Sequence, residues 1–209
     1  MHRTESPVAR FRIDADGWAE GVTRMPSPNC DARAPGEAVS LLVVHNISLP
    51  PGKFGGPFIA DLFLNRLDHD ADPYFEQLKA LRVSAHFLIR RDGEVVQFVS
   101  ASDRAWHAGA SSFRGRARCN DFSIGIELEG TDFAPFDDAQ YVSLAALTLA
   151  LRRAYPLRDV TGHEHIAPGR KTDPGPFFDW PRYAADCHAL VASAADGGTA
   201  GLGLAFCAS

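Results

Sequence analysis

With 209 residues, 45% of them hydrophobic and 22% charged, the chain is long enough for one well-buried soluble domain and short for two. A formal net charge of -5 excludes a global basic field for nucleic acid or an anionic membrane, so an anionic ligand must be met by a local cluster. Met1 to Trp18 mixes charged and apolar residues with no apolar export core, and no later stretch reaches the roughly 18 apolar residues of a membrane span. A cytoplasmic protein with no membrane partner is expected.

Residues 1–40 carry turn signals at Pro26-Ser27-Pro28-Asn29 and Ala34-Pro35-Gly36 and read as an N-terminal wrap on a domain over 41–191. Leu41 to Ile47 (LLVVHNI) is a near-continuous apolar run, the pattern of a strand buried on both faces. Pro50-Pro51-Gly52 and Gly55-Gly56-Pro57 force a loop, and Phe58 to Arg66 and Tyr74 to Leu81 read as short helices. Ser84 to Ile89 and Glu94 to Val99 flank Arg90-Arg91-Asp92-Gly93, a hairpin signal. Residues 103–121 look like a loop. Ser123 to Glu129 (SIGIELE) alternates, with Ile124, Ile126 and Leu128 on one side and Gly125, Glu127 and Glu129 on the other.

The strongest helix signal runs from Asp138 to Tyr155, capped by Asp137 with Gln140 three residues on, and stopped by Pro156. A short helix over Tyr183 to Val191 follows, and residues 192–209, rich in Ala and Gly, predict a disordered tail. The sum is a single α/β (α+β) domain with a mixed central β-sheet flanked by helices. Cys30, Cys119, Cys187 and Cys207 form no C-x-x-C pair and read as reduced thiols.

Eight histidines raise the question of a metal. His45 ends a buried strand, His163 follows Thr161-Gly162, and Asp173 sits in Lys171-Thr172-Asp173-Pro174. Two imidazoles and a carboxylate make a three-ligand set with a fourth position open to water. Spacing alone leaves alternatives open. A histidine at a strand end is often structural, Asp before Pro is a common turn residue, and His163 with His165 forms a competing H-x-H pair. Glu127 and Glu129 share one strand face and are equal candidates for a catalytic acid. Arg114, Arg116 and Arg118 suit a solvated loop face as well as a ligand grip, and His86, in mid-strand, reads as structural.

The segments LLVVHNISLPPGKFGG (41–56), LRVSAHFLIRRDG (81–93), AWHAG (105–109), RCNDFSIGIELEG (118–130) and TGHEHIAPGRKTDPGPFFDW (161–180) resemble the 1,6-anhydro-N-acetylmuramyl-L-alanine amidases. These belong to the type 2 N-acetylmuramoyl-L-alanine amidases, whose fold is shared with peptidoglycan recognition proteins and phage T7 lysozyme. The resemblance implies a Zn2+ site of His45, His163 and Asp173, with Glu127 as catalytic carboxylate and Lys171 as its cationic partner. It further implies substrate contacts from Arg82, Trp106 and Arg118, with Asn46 and His107 orienting ligands or substrate. His165 departs from the Asn of close relatives. The expected partner is a small muropeptide, bound by a monomer with no nucleic-acid role. The expected reaction is hydrolysis of the muramyl–L-alanine bond in peptidoglycan recycling. An endolysin-like amidase acting on intact wall and a non-catalytic peptidoglycan-binding module are the alternatives.

Overall fold

The computed structural model describes residues 10–194 and 203–207. The chain runs through β1 (Thr23–Arg24), β2 (Cys30–Ala32), β3 (Leu41–Ile47), α1 (Phe58–Phe63), a 3-10 turn (Pro73–Leu78), β4 (Phe87–Ile89) and β5 (Val95–Gln97). Short strands β6 (Asp103–Ala105), β7 (Ser112–Phe113) and β8 (Arg116–Ala117) precede β9 (Ser123–Glu129). Then come α2 (Asp138–Ala154), β10 (Asp159–Gly162), α3 (His163–Ile166), α4 (Trp180–Ala194) and β11 (Ala205–Cys207). One mixed sheet takes the order β1-β5-β4-β9-β3-β10-β11. Every neighbouring pair in it is parallel except β4 with β5.

The alternation along β3 and β9 assigns the two faces of this sheet. Leu42 and Val44 of β3 and Ile124, Ile126 and Leu128 of β9 bury one face against Leu144, Leu147 and Leu151 of α2 and Tyr183 of α4. Each such fully buried aliphatic side chain contributes about 1.5–3 kcal/mol. On the other face Leu41 and Val43 pack with Ala108, Cys119, Phe122 and Ile166. Leu88 and Val96 lie under Ile59, Leu62, Phe63 and Phe75, from α1 and the 3-10 turn. Covered on both faces, the central strands need the apolar run that β3 shows.

Helix α2 begins and ends where its signals stand. The Asp137 N–H donates to Gln140 Oε1 at 3.0 Å, and the Tyr155 N–H closes the last turn on the Leu151 carbonyl before Pro156. Ala146, Leu147, Leu149 and Ala150 are buried along with Tyr141, Leu144, Thr148 and Leu151, because α4 covers the helix from a second side. In the predicted hairpin, Gly93 adopts φ +83, and Ala139 O lies 2.7 Å from where a Cβ would sit. Only glycine fits there without strain.

Other elements differ from expectation. Helix α1 stops at Phe63, two residues before Asn65 takes a left-handed φ of 57. The expected helix over 74–81 is a 3-10 turn, opened by Asp72, whose side chain accepts the Tyr74 N–H at 2.8 Å. The stretch expected as loop over 103–121 contains β6, β7 and β8. Strand β10 was not predicted at all. Four residues are too short for a period to show, yet β10 fills the sheet between β3 and β11. The predicted disordered tail falls partly outside the described residues, at 195–202 and 208–209. Its described part is a correction: Ala205–Cys207 pairs in parallel with β10, because Phe206 packs edge-on against Tyr183 at 5.2 Å and the strand edge of β10 offers free backbone partners. Among the described residues no helix is long and apolar enough to cross a membrane.

Candidate active site

Three adjacent parallel strands, β9, β3 and β10, end at one edge of the sheet, the edge where α/β folds carry their sites. His45 and Glu127 are register partners on β3 and β9, so their side chains leave the sheet side by side, away from α2. Gly162, the last residue of β10, pairs with Val44, and the next residue, His163, therefore lands beside His45. Asp173 arrives from the loop after α3, where its carbonyl accepts the Glu164 N–H at 2.8 Å. The result is compact. His45 Nδ1, His163 Nδ1 and Asp173 Oδ2 stand 3.0 Å from one another in every pairing.

The hydrogen-bond network assigns both imidazole tautomers. Ser123 Oγ–H donates to the Cys119 carbonyl at 2.6 Å, so its oxygen accepts His107 Nε2–H at 3.1 Å. That leaves His107 Nδ1 as the acceptor for His45 Nε2–H at 2.9 Å. His163 Nε2–H donates to the Ala108 carbonyl at 3.1 Å. In both histidines Nδ1 is then a bare lone pair. Two lone pairs and a carboxylate oxygen repel one another unless a cation lies among them. This donor set, with nitrogens oriented from behind by hydrogen bonds, is what a divalent metal requires. His45, His163 and Asp173 form such a group among the described residues.

Electrostatics follows the same geometry. Burial, then the neighbouring His163, lowers the His45 imidazole to about 4. Burial pushes the Asp173 carboxyl upward, but its contacts with His163 and His45 prevail and hold it well below the usual carboxylate range. Glu127 goes the other way: burial first, then the charge of Asp173, raise its carboxyl well above the ordinary value, with Lys171 opposing. Glu127 Oε2 is buried without a hydrogen-bond partner. Glu129, its equal in the sequence pattern, is fully tied to Arg90 Nη1 at 3.0 Å and the Gly55 N–H at 2.7 Å.

The site opens into a cleft of about 820 Å³. Lys171, exposed, lines it, as do Trp106, Asn46 and His107. Trp106 Nε1 has no partner, and Asn46 Nδ2 donates to Asp132 Oδ1 at 2.6 Å and the Pro174 carbonyl at 3.0 Å. Arg82 and Arg118 are not among the residues that line this cleft. Arg82 folds back onto the carbonyls of Lys79 and Leu81, and Arg118 pairs with Asp121 at 3.0 Å while largely exposed. Of the remaining loop arginines, Arg114 pairs with Asp159 and Arg116 with Glu37. His165 stays out of the donor group, its Nδ1 accepting the Gly162 N–H at 3.3 Å.

His86 is fully buried. Its Nδ1 accepts the Gly125 N–H at 3.0 Å, and Nε2 lies 3.1 Å from the Asp103 carbonyl. Burial, then the charge of Arg33, lowers it to about 3. The unfolded chain binds this proton below the ordinary histidine value near 6.5, whereas the native state resists it until about 3. Stability held at neutral pH is therefore lost as pH falls through that window. Chelator-treated protein is expected to show a lower Tm at pH 4.5 than at pH 7 by scanning calorimetry; a flat Tm across that range contradicts the buried neutral histidine.

One functional position passed unnoticed in the sequence. A Cβ at Gly125 would lie under 3.0 Å from Cγ, Nδ1 and Cδ2 of His107. A glycine inside a strand marks such a close approach, and that signal was available in SIGIELE. Gly125→Ala is expected to push the His107 ring off its partner His45 and weaken metal binding by about 10–100-fold, the cost of losing an outer partner of a metal ligand. Competition with a chromogenic chelator measures this, and unchanged affinity would show that the ring accommodates the methyl group.

The family described as N-acetylmuramoyl-L-alanine amidase matches residues 35–176. The 1,6-anhydro-N-acetylmuramyl-L-alanine amidase AmpD of Salmonella typhimurium is 61% identical over 171 residues, covering 81% of this chain and 91% of that protein. A crystal structure of an AmpD derivative superposes with a TM-score of 0.80 at 61% identity, over 82% of this chain and 97% of that one. AmiD of Escherichia coli, solved with the substrate anhydro-N-acetylmuramic acid-L-Ala-D-gamma-Glu-L-Lys, has a TM-score of 0.53 at 28% identity, over 84% and 65%. This chain belongs to the N-acetylmuramoyl-L-alanine amidase family, and within it resembles the AmpD amidases.

Proposed function

We propose that this chain is a zinc-dependent amidase that cuts the bond between 1,6-anhydro-N-acetylmuramic acid and L-alanine in small muropeptides, in the recycling of peptidoglycan in the cytoplasm. The observation that carries the reading is the convergence of three acceptor atoms at 3.0 Å beside the partnerless carboxyl oxygen of Glu127. The relatives act on this bond by name, and four free cysteines suit a reducing compartment.

His45, His163 and Asp173 would hold the ion: borderline imidazole nitrogens with one carboxylate suit zinc. Zinc held there supplies Lewis acidity, polarising a carbonyl and bringing the pKa of water near 7. The chain's own residues supply the rest. The Glu127 carboxylate takes a proton from the attacking water and delivers it to the departing L-alanine nitrogen. A carboxyl whose affinity for the proton is raised by burial is suited to carry it between those two steps. Lys171 Nζ, from the loop two residues before Asp173, offsets negative charge developing on the scissile carbonyl oxygen. Trp106, Leu62, Phe63 and Val83 line the apolar wall of the cleft and would exclude water from the face of the sugar and peptide.

A test is to offer the enzyme an anhydro-muramyl tripeptide and intact sacculi in parallel, following peptide release by mass spectrometry. Recycling requires a strong preference for the small substrate. Equal or faster cutting of sacculi would move the assignment to an endolysin-like amidase.

A further inference from the structure

Both imidazoles of the metal group depend on one short stretch of backbone, residues 107–108. His45 is oriented by the His107 ring, and His163 by the Ala108 carbonyl. Neither residue lies in regular structure, yet both N–H groups converge on a single atom. Asn120 Oδ1 accepts the His107 N–H at 3.2 Å and the Ala108 N–H at 2.7 Å. Asn120 is buried and is not part of the cleft wall.

The turn that carries Asn120 is itself held from the N-terminal wrap. Arg33 reaches inward and donates to the carbonyls of Asn120 at 3.0 Å, Asp121 at 2.9 Å and Ser123 at 2.8 Å. Ser123 supplies the hydroxyl that fixes the His107 tautomer. One guanidinium therefore fastens both supports of His107, the carboxamide under its backbone and the hydroxyl at its ring. The planar fork of arginine can span three carbonyls at once; the point charge of a lysine cannot.

We propose that Asn120, braced by Arg33, is a positioning residue that sets both histidine ligands of the metal group from behind. The inference rests on the metal reading given above. Asn120 touches neither substrate nor metal; it acts through His107 to His45 and through Ala108 to His163. Loss of its acceptor oxygen frees residues 107–108, and both Nδ1 lone pairs lose their aim together. A carboxylate oxygen at the same place accepts the same two N–H groups, so aspartate can replace asparagine in this role.

The experiment compares the full-length wild type with Asn120→Ala, Asn120→Asp and Arg33→Lys. Zinc affinity is read by competition with a chromogenic chelator, Tm is read on the chelator-treated protein, and kcat and KM are read at saturating zinc. Asn120→Ala is expected to lose about 10–100-fold in zinc affinity and to lower kcat with KM for the muropeptide held. Asn120→Asp should stay within a few-fold of wild type. If Asn120→Ala does not fold, Arg33→Lys carries the test, with a zinc-affinity loss in the same direction. Wild-type zinc affinity in Asn120→Ala or Arg33→Lys, whatever the Tm, overturns the proposal. So does an Asn120→Asp variant as weak as Asn120→Ala. A wild-type protein that holds no zinc overturns the metal reading, and this inference with it.

Discussion

Glu127→Gln is expected to lower kcat by about 10²- to 10⁴-fold, the range contributed by a positioned general acid–base group, while zinc affinity stays near that of the wild type. Glutamine keeps the size of the side chain and removes only its capacity to carry a proton. Glu127 is not one of the three mutually close donor atoms, so the metal group is left whole. The strand is not at risk either, since the Glu127 carboxyl oxygen that is buried has no partner to lose. The control is Glu129→Gln on the same strand face. It breaks a buried ion pair with Arg90, so it should lower Tm and leave the chemical step less affected than Glu127→Gln does. Steady-state kinetics by chromatographic detection of released peptide separates the two, and a Glu127→Gln enzyme with near-native kcat would remove the carboxyl from the mechanism.

Asp173→Ala is expected to be as damaging by a different route. Asp173 brings the only negative charge among the three donors, and its carboxyl lies well below the usual carboxylate range. Without it, two neutral imidazoles with their Nδ1 atoms 3.0 Å apart are left to hold a dication. Loss of a merely supporting partner costs about 10–100-fold in affinity, and loss of the ligand itself should exceed that. Equilibrium dialysis against zinc, with metal counted by atomic spectroscopy, gives the answer. Activity should fall with occupancy and recover only in part at high zinc.

The parts of the fold that could be read in the sequence are those written in a local period. SIGIELE, LLVVHNI and the capped α2 stand where expected, because alternation, unbroken apolarity and a capping pair each act within a few residues. Strand β10 has only four residues, and its place depends on β3 and β11 lying on either side. The same division runs through the site. His45, His163 and Asp173 came from motif resemblance, and the structure brings their donor atoms together. The choice between Glu127 and Glu129 could not be made from alternation, since both point the same way. It depends on register: Glu127 sits opposite His45 and Glu129 opposite Ile47. Spacing leaves His163 and His165 as alternatives and the resemblance selects His163; α3 begins at His163, and helical neighbours two apart do not share a face. Arg82 and Arg118 rest on nearby acceptors, the Lys79 and Leu81 carbonyls and Asp121, a local choice for long loop side chains that no sequence pattern shows. Asn120 and Arg33 left no trace in the pattern at all, for their partners are backbone atoms far away in sequence.

The measurement that tests the central claim most directly is release of free tripeptide from anhydro-N-acetylmuramyl-tripeptide, followed by mass spectrometry on the purified protein before chelation, after chelation and after zinc is returned. The account predicts release, its loss on chelation, and its recovery with zinc. Folded, zinc-loaded protein that binds the muropeptide and releases nothing would contradict it, and would make this fold a peptidoglycan-binding module.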